Sequence, residues 1–483
     1  MIKFRPILKI VGMILLVVAI LMMTALPFSL HYDSGDDKAI LYSSLITFFV
    51  GLVLALTKMR PGEEIKKREG YLIVALGWLS MICFGTLPYL LSGEIPSITN
   101  AFFETMSGMT TTGASIINDI EALPKGILYW RSLTQWIGGM GIIVLTIAIY
   151  PLLGFGGIEL FVAEAPGPRS DKIHPRIQET AKRLWVLYVL LTILLGIILR
   201  FCGMTFFDAV NHALTTMATG GFSTKNASMM YYDTPIIQYP IILFMFIAGT
   251  NYTVIYFGLT GRFKRVLQND EFKTYVTIVL LSVMILSLIV YQYNDSSFEK
   301  AFRDTLFQIV SLITTTGFVS ADYTSWGSLL LLFFFFLMFI GASAGSTSGG
   351  IKLIRHLVFF KNSFLEFKRI IHPRAIVPLK ISGTVVAPRI MTHILVFLLL
   401  YLMLFIIGTF IVAALGLDFM TAIGAVATSL GNVGPGIGDV GPLNNFSALS
   451  DPIKWVLCFF MLAGRLELFT ILVLFMPYFW KSN

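Results

Sequence analysis

Ten stretches of this chain are apolar for long enough to cross a lipid bilayer, and no other feature narrows its possible folds as much. They fall near residues 7–30, 39–57, 70–92, 130–154, 183–203, 235–259, 273–293, 328–360, 390–416 and 453–480. A bilayer core takes about 20 apolar residues as a helix. Hydrocarbon offers backbone groups no water, so a spanning segment must satisfy its hydrogen bonds internally. The expected fold class is therefore an all-α membrane protein with ten transmembrane helices and the lipid bilayer as its solvent. Composition agrees: 56% of the 483 residues are hydrophobic and 13% charged, against roughly a quarter charged in soluble domains. Lys3, Arg5 and Lys9 precede an apolar run from Ile10 to Leu30. It exceeds the roughly 7–15 residues of a signal-peptide core, so it reads as a retained first span. Cys83, Cys202 and Cys458 lie far apart with no CxxC spacing, and read as small buried apolar residues.

Basic residues set the orientation. With a cytoplasmic N-terminus, the segments 1–9, 58–69, 164–183, 261–273, 352–389 and 481–483 face inward, and they hold 26 of the 35 Lys and Arg residues. This is the positive-inside bias. The net charge of +8 therefore records topology, with both termini cytoplasmic, and no nucleic-acid partner is expected.

Between the later spans, four segments recur that are too short to cross. They read NAFFETMSGMTTTGAS from Asn100, DAVNHALTTMATGGFS from Asp208, DTLFQIVSLITTTGFV from Asp304 and TAIGAVATSLGNVGPG from Thr421. They align without a gap on Gly113, Gly221, Gly317 and Gly434, and thirteen residues earlier each begins with a good helix N-cap, Asn100, Asp208, Asp304 or Thr421. Each segment is predicted to be a helix of about ten residues that enters from outside and stops partway, with its carbonyl end, the negative end of its dipole, pointing into the membrane. A glycine-bearing loop then returns outward. Non-helical backbone at membrane depth is tolerated only inside protein or along a watery path. Four such loops around one axis would present carbonyl rings able to replace an ion's hydration shell. Taken singly, each segment also fits a capped surface helix with a glycine C-cap; four in register point to the pore.

These loops, together with WIGGMGI (Trp136–Ile142), AGTNY (Ala248–Tyr252), GASAGSTSGGIK (Gly341–Lys352) and GRLEL (Gly464–Leu468), make nearly the whole chain resemble the Trk/Ktr/HKT superfamily of cation channels and transporters, in its bacterial TrkH branch. The resemblance implies potassium uptake through a gated pore in the bacterial inner membrane. It implies four pseudo-fourfold helix–pore loop–helix repeats around one pore, at 67–165, 166–262, 263–362 and 363–483, after two extra N-terminal helices in 1–66. It further implies a selectivity filter that binds K+ through Thr111, Thr112 and Gly113, then Thr219, Gly220 and Gly221, then Thr315, Thr316 and Gly317, then Asn432, Val433 and Gly434. Homodimerisation is implied too, as is a separate cytosolic TrkA-like ring that binds the regulatory nucleotide. Basic segments 164–183, 261–273 and 352–389 are its expected docking surface, and equally fit a role in topology or anionic lipid binding. No cofactor is expected in this chain beyond the transported ion. All four loops depart from a TVGYG-type filter, so potassium preference over sodium is expected to be incomplete.

Two gate elements are expected beneath the filter. Gly341 to Gly350 is a run of ten small residues. Gly341, Gly345 and Gly349, four apart, fit close helix packing as well as an unwound loop, and the resemblance favours the loop. Arg465 lies in the last apolar run, where an unpaired arginine costs at least about 2.5–3.5 kcal/mol; it reads either as a positive barrier beside the gate or as half of a structural ion pair. Lys352 fits a gate role or a snorkelling one. Glu104 and His212, nine residues before their glycines, fit the outer mouth or, better, hydrogen bonds bracing the pore helix. His174, His356 and His372 read as solvated. No HExxH, G-x-S-x-G or P-loop spacing is present, so an enzyme is not expected. An ion-coupled symporter and a sodium-permeable relative are the alternatives, to be separated by measured flux.

Overall fold

The computed structural model describes residues 2–58, 66–153, 177–293 and 297–481, and it is mostly helical. Among these residues six helices are long and apolar enough to cross a membrane: Phe4–His31, Asp37–Ala55, Arg68–Ser92, Lys182–Phe201, Asp270–Gln292 and Pro388–Ala414. Two further pairs, Pro235–Ala248 with Tyr252–Leu259 and Asp451–Arg465 with Phe469–Phe475, bend by 110° and 112° at short breaks; counted as single spans they make eight. The sequence expectation was ten. The helix Lys125–Leu153 and the interrupted stretch from Ser328–Leu337 to Leu353–Ile371 occupy the other two runs.

The first two helices cross where Gly12 and Gly51 meet: a β-carbon on Gly51 would lie 3.0 Å from the Gly12 carbonyl oxygen. Small residues at a crossing let membrane helices approach closely. This pair is tied to the rest by Asp36, which is buried. Its carboxylate accepts from the Ser29 hydroxyl at 2.5 Å, the Ser34 hydroxyl at 2.6 Å and the Ile127 backbone N–H at 2.7 Å. Asp36 thus caps the first turn of Lys125–Leu153 from another element, satisfying a donor that a helix start leaves without an internal partner.

The four short segments are helices at Ile98–Met109, Phe206–Met217, Phe298–Ile313 and Phe419–Gly431. They are 12, 12, 16 and 13 residues long, more than the expected ten. Their N-caps are Ser97, Thr205, Ser297 and Asp418, each side chain accepting from the backbone N–H three residues on. Asn100, Asp208 and Thr421 are therefore not caps. They stand at the third helical position and donate to the true cap, while Asp304 lies in the second turn because the third helix starts one turn earlier. A polar side chain at the third position of a capped helix looks like a cap in sequence, and the strict alignment of the four concealed the offset. Of the cysteines, only Cys458 is buried; Cys202 is half-buried and Cys83 is on the outside of the helix bundle.

Candidate ion-binding loops

Each short helix ends in the same turn. The N–H two residues before the aligned glycine donates to the carbonyl five before it: Thr111 to Gly108, Thr219 to Thr216 and Thr315 to Leu312 at 3.0 Å, and Asn432 to Ser429 at 3.3 Å. The next N–H reaches back one residue further, from Thr112 to Ser107, Gly220 to Thr215, Thr316 to Ser311 and Val433 to Thr428, at 2.8–3.0 Å. This pair of bonds is the Schellman helix ending, whose left-handed residue is usually glycine. Here it is Thr111, Thr219, Thr315 and Asn432, with φ of 54°, 52°, 55° and 53°. Positive φ at a β-branched residue is an outlier, and three equivalent threonines share it. The aligned glycines follow at φ 84°, 79°, 76° and 104°.

The four loops close on one another. A β-carbon at Gly113 would strike the carbonyl oxygen of Gly220, one at Gly221 that of Thr316, and one at Gly317 that of Val433; one at Gly434 would lie 2.7 Å from that of Thr112. The cycle runs first to second to third to fourth to first. Further out the same neighbours are stitched again. Asn226 accepts from the Ile120 N–H at 2.7 Å and donates to Asp119 at 2.9 Å. The Met230 N–H donates to the Val319 carbonyl at 2.9 Å, the Tyr323 hydroxyl to the Gly436 carbonyl at 2.8 Å, and the Phe446 N–H to the Ser115 carbonyl at 2.8 Å. Outside the membrane segments, the Asp119 carboxyl is held below the usual range by the Asn226 amide, and the Asp418 cap by the Thr421 hydroxyl and N–H. Among the described residues, no protein donor reaches the carbonyl oxygens of Thr111, Thr112, Thr219, Thr315, Thr316 or Val433. Buried carbonyls are nearly always paired, so a ring of unpaired ones suits a dehydrated cation.

Glu104 and His212 brace these loops from behind. The Glu104 carboxylate accepts from Ser115, from the Ile116 N–H and from Arg131 at 2.7 Å, with both charged side chains at most 2% exposed. His212 bonds the Ser223 hydroxyl at 3.0 Å, and Gln308, at the equivalent place, the Ser320 hydroxyl at 3.3 Å.

From Gly341 to Gly350 the chain is unwound, and it lies against the ends of the short helices. The Gly349 N–H donates to the Thr315 hydroxyl at 2.6 Å, and Thr219 Oγ1 to Thr347 Oγ1 at 3.3 Å. A β-carbon on Gly349 would lie 2.7 Å from that of Asn432. The loop's two ends are joined by the Gly341 N–H donating to the Ile351 carbonyl at 2.9 Å. Gly345 and Gly350 take φ of 76° and 64°. Lys352, at the start of Leu353–Ile371, turns its ammonium back onto the Ser348 carbonyl. Arg465 ends its helix and donates to the Thr347 carbonyl at 2.8 Å and the Gly138 carbonyl at 2.6 Å. It thus ties the loop to the helix Lys125–Leu153. Nearby, Glu467 forms an ion pair with Arg355, 2.5 Å apart.

Several of these parts were not legible. Glu271 holds the loop at two points, accepting from the Ala344 N–H at 2.7 Å and the Ile354 N–H at 3.2 Å. Asn251 donates to the Ala344 carbonyl at 2.6 Å while capping Tyr252–Leu259; an Asn after Gly-Thr inside an apolar run was the available signal. Gln135 grips the second loop. His356 is not solvated: it is half-buried, with Nε2 3.2 Å from the Phe339 carbonyl oxygen. His372 is exposed, whereas His174 and most of 164–183 lie outside the described residues.

Comparison with known proteins agrees with this geometry. The family model described as TrkH, a cation transport protein, matches residues 36–482. The chain is 41% identical to the Trk system potassium uptake protein TrkH of Salmonella typhimurium and to that of Escherichia coli K12, over 99% of this chain and all of each relative. It is 40% identical, with the same coverage, to the protein of that name from Vibrio parahaemolyticus. The crystal structure of the potassium transporter TrkH from Vibrio parahaemolyticus superposes with a TM-score of 0.89 at 37% identity, covering 99% of this chain and all of that one.

Proposed function

This chain belongs to the TrkH family of cation transport proteins, and on that premise we propose that it is the membrane subunit of a Trk-type potassium uptake system, acting through a gated pore. It is a multi-pass membrane transporter rather than an enzyme. The reading in full is ten membrane helices, four helix–loop–helix repeats at 67–165, 166–262, 263–362 and 363–483, and a pair of flanking helices in 1–66. The observation that carries it is the closed cycle of four like turns, in which the carbonyl oxygens of Thr111, Thr112, Thr219, Thr315, Thr316 and Val433 accept nothing from the described residues.

Potassium enters from outside, sheds water and is held by carbonyls of Thr111–Gly113, Thr219–Gly221, Thr315–Gly317 and Asn432–Gly434. Backbone oxygens can replace a hydration shell at little reorganisation cost. The carbonyl ends of the four short helices point the same way and favour a cation below the ring. The loop 341–351 and Arg465 then block the exit until the loop moves. Inward-facing basic segments and both termini lie in the cytoplasm of a bacterial cell, where a nucleotide-binding ring acts on a homodimer of this chain. The Trk-system names of its relatives support the existence of companion subunits.

The test is flux from pure protein in liposomes. Rubidium or potassium should move down its gradient, faster than sodium and without a fixed partner ion. A constant proton or sodium stoichiometry would make the chain a symporter, and equal sodium and potassium rates would remove the potassium assignment. Charge reversal in 352–389 should abolish co-purification of the ring.

A further inference from the structure

The four turns are alike in backbone but not in what holds them. In the first and third loops a threonine pair spans the turn: Thr110 to Thr112 at 2.8 Å and Thr314 to Thr316 at 2.7 Å. The second loop has Ala218 and Gly220 at those positions, so it has no hydroxyls to pair. In their place stands the amide of Gln135, fully buried on Lys125–Leu153. Its Nε2 donates to the Gly220 carbonyl at 2.5 Å and its Oε1 accepts from the Phe222 N–H at 3.0 Å, clamping the chain on both sides of Gly221. A side chain on residue 220 would collide with this amide, its β-carbon falling 2.9 Å from Gln135 Cγ.

The clamp also makes one ring oxygen unlike the others. The residue before each aligned glycine supplies one oxygen to the cycle of close contacts: Thr112, Gly220, Thr316 and Val433. Among the described residues, Gly220 is the member of that set whose oxygen takes a hydrogen bond from the protein. A carbonyl has two lone pairs, so Gly220 can still face an ion. One pair is committed to a neutral donor, however, which lowers its field strength and fixes its distance from the axis.

We propose that Gln135 is a specificity-determining residue of the pore: its amide sets the position and field strength of the Gly220 oxygen and thereby the preference for potassium over sodium. The inference rests on the reading of these loops as the ion-coordinating ring. Gln135→Leu removes both bonds at similar volume. Gln135→Glu, when ionised, keeps the acceptor for Phe222 and loses the donor to Gly220. Purified variants in liposomes would be compared with the wild-type protein for rubidium uptake and its inhibition by sodium, after size-exclusion chromatography to confirm folding. Both should lose potassium-over-sodium preference by about two- to tenfold, the range covered by one net hydrogen bond. A mere structural brace would lower the passage of both ions together. Gly221→Ala serves as the reference for the ring itself. If that change alters ion preference while folded Gln135→Leu or Gln135→Glu keeps the wild-type ratio, the role of Gln135 is refuted. If Gly221→Ala also leaves the ratio unchanged, the coordinating ring is what fails. Should Gln135→Leu not fold, Gln135→Glu decides alone, because it preserves the shape of the side chain.

Discussion

Replacing Gly221 with alanine isolates what the closed ring requires, because the chain contains a matched control. Gly93 has φ 78° and Gly221 has φ 79°, so alanine carries the same left-handed backbone cost at both, about 1–2 kcal/mol. The surroundings differ completely. A β-carbon on Gly93 meets nothing within 4 Å. On Gly221 it would lie 3.1 Å from the carbonyl carbons of Thr316 and Gly317, and closer still to the Thr316 oxygen, inside the 3.0 Å that real β-carbons respect. Those are backbone atoms and cannot rotate away. Because the Thr316 oxygen is the nearest atom, reaching an ordinary separation of about 3.5 Å means parting the second and third loops there by more than an ångström, and overpacking of this kind costs at least about 1–3 kcal/mol. Tenfold in rate corresponds to about 1.4 kcal/mol. Gly221→Ala should thus lower rubidium flux in liposomes at least about tenfold and weaken discrimination against sodium, while Gly93→Ala keeps both. Wild-type flux and ion preference in a folded Gly221→Ala protein would refute the ring, as would equal damage from Gly93→Ala.

Three further changes probe the parts around it. Arg465→Ala removes two charge-assisted hydrogen bonds, worth about 1.5–3 kcal/mol each, one of them to the Thr347 carbonyl of the loop; basal flux should rise about tenfold or more, and unaltered flux would make the arginine structural. Glu271→Ala strips the acceptor from the Ala344 and Ile354 N–H groups and should also raise basal flux, whereas Glu271→Gln, which retains an acceptor oxygen, should stay near wild type in the same liposome assay. Glu104→Leu leaves Arg131 buried without its carboxylate, a loss of about 3–5 kcal/mol, seen as a lower unfolding midpoint in detergent.

What the sequence made legible followed from periodicity and exact repetition. The four loops and their common glycine were readable from their alignment, and Arg465 stood out as a charge inside an apolar run, whereas the spacing of Gly341, Gly345 and Gly349 fitted close helix packing as well as the unwound loop that the resemblance favoured. What stayed hidden was any partner supplied from a distant element. Glu271 looked like one more acid at a cytoplasmic helix start, and nothing nearby announces that it reaches residues 344 and 354. Gln135 was one of several polar residues, with Arg131, Ser132 and Thr134, at the start of a long apolar run, and nothing in their order singled it out. The breaks after Ala248 and Arg465 were read through because Gly249 and Gly464 each interrupt only briefly. In space each glycine makes room for a neighbouring loop end: a β-carbon would come 2.6 Å from Thr314 Cγ2 and 2.9 Å from Asn432 Oδ1, respectively. The caps of the first, second and fourth short helices were misplaced by three residues and that of the third by seven, since true caps and polar residues just inside a helix share the same residue types.

The left-handed threonines join the turns of the short helices to the unwound loop. Glycine at this place in the turn would avoid the backbone penalty, of order 1–3 kcal/mol for a non-glycine residue in a sparsely populated region. Yet Thr219 and Thr315 keep it, and each has a use for its hydroxyl on the side facing the unwound loop: Thr315 accepts from the Gly349 N–H and Thr219 bonds Thr347. Asn432, in the same conformation, packs its β-carbon on Gly349 and donates to Thr112 Oγ1 at 3.0 Å. Glycine would leave the turn intact and erase every one of these contacts. The strained residue is therefore the place where the ring and the loop beneath it touch. A shift of 347–349 must release contacts made by the same residues whose backbone forms the turns, so the position of that segment and the geometry of the turns are mechanically joined at three of the four short helices. Thr111 is the exception: among the described residues its buried hydroxyl meets no partner.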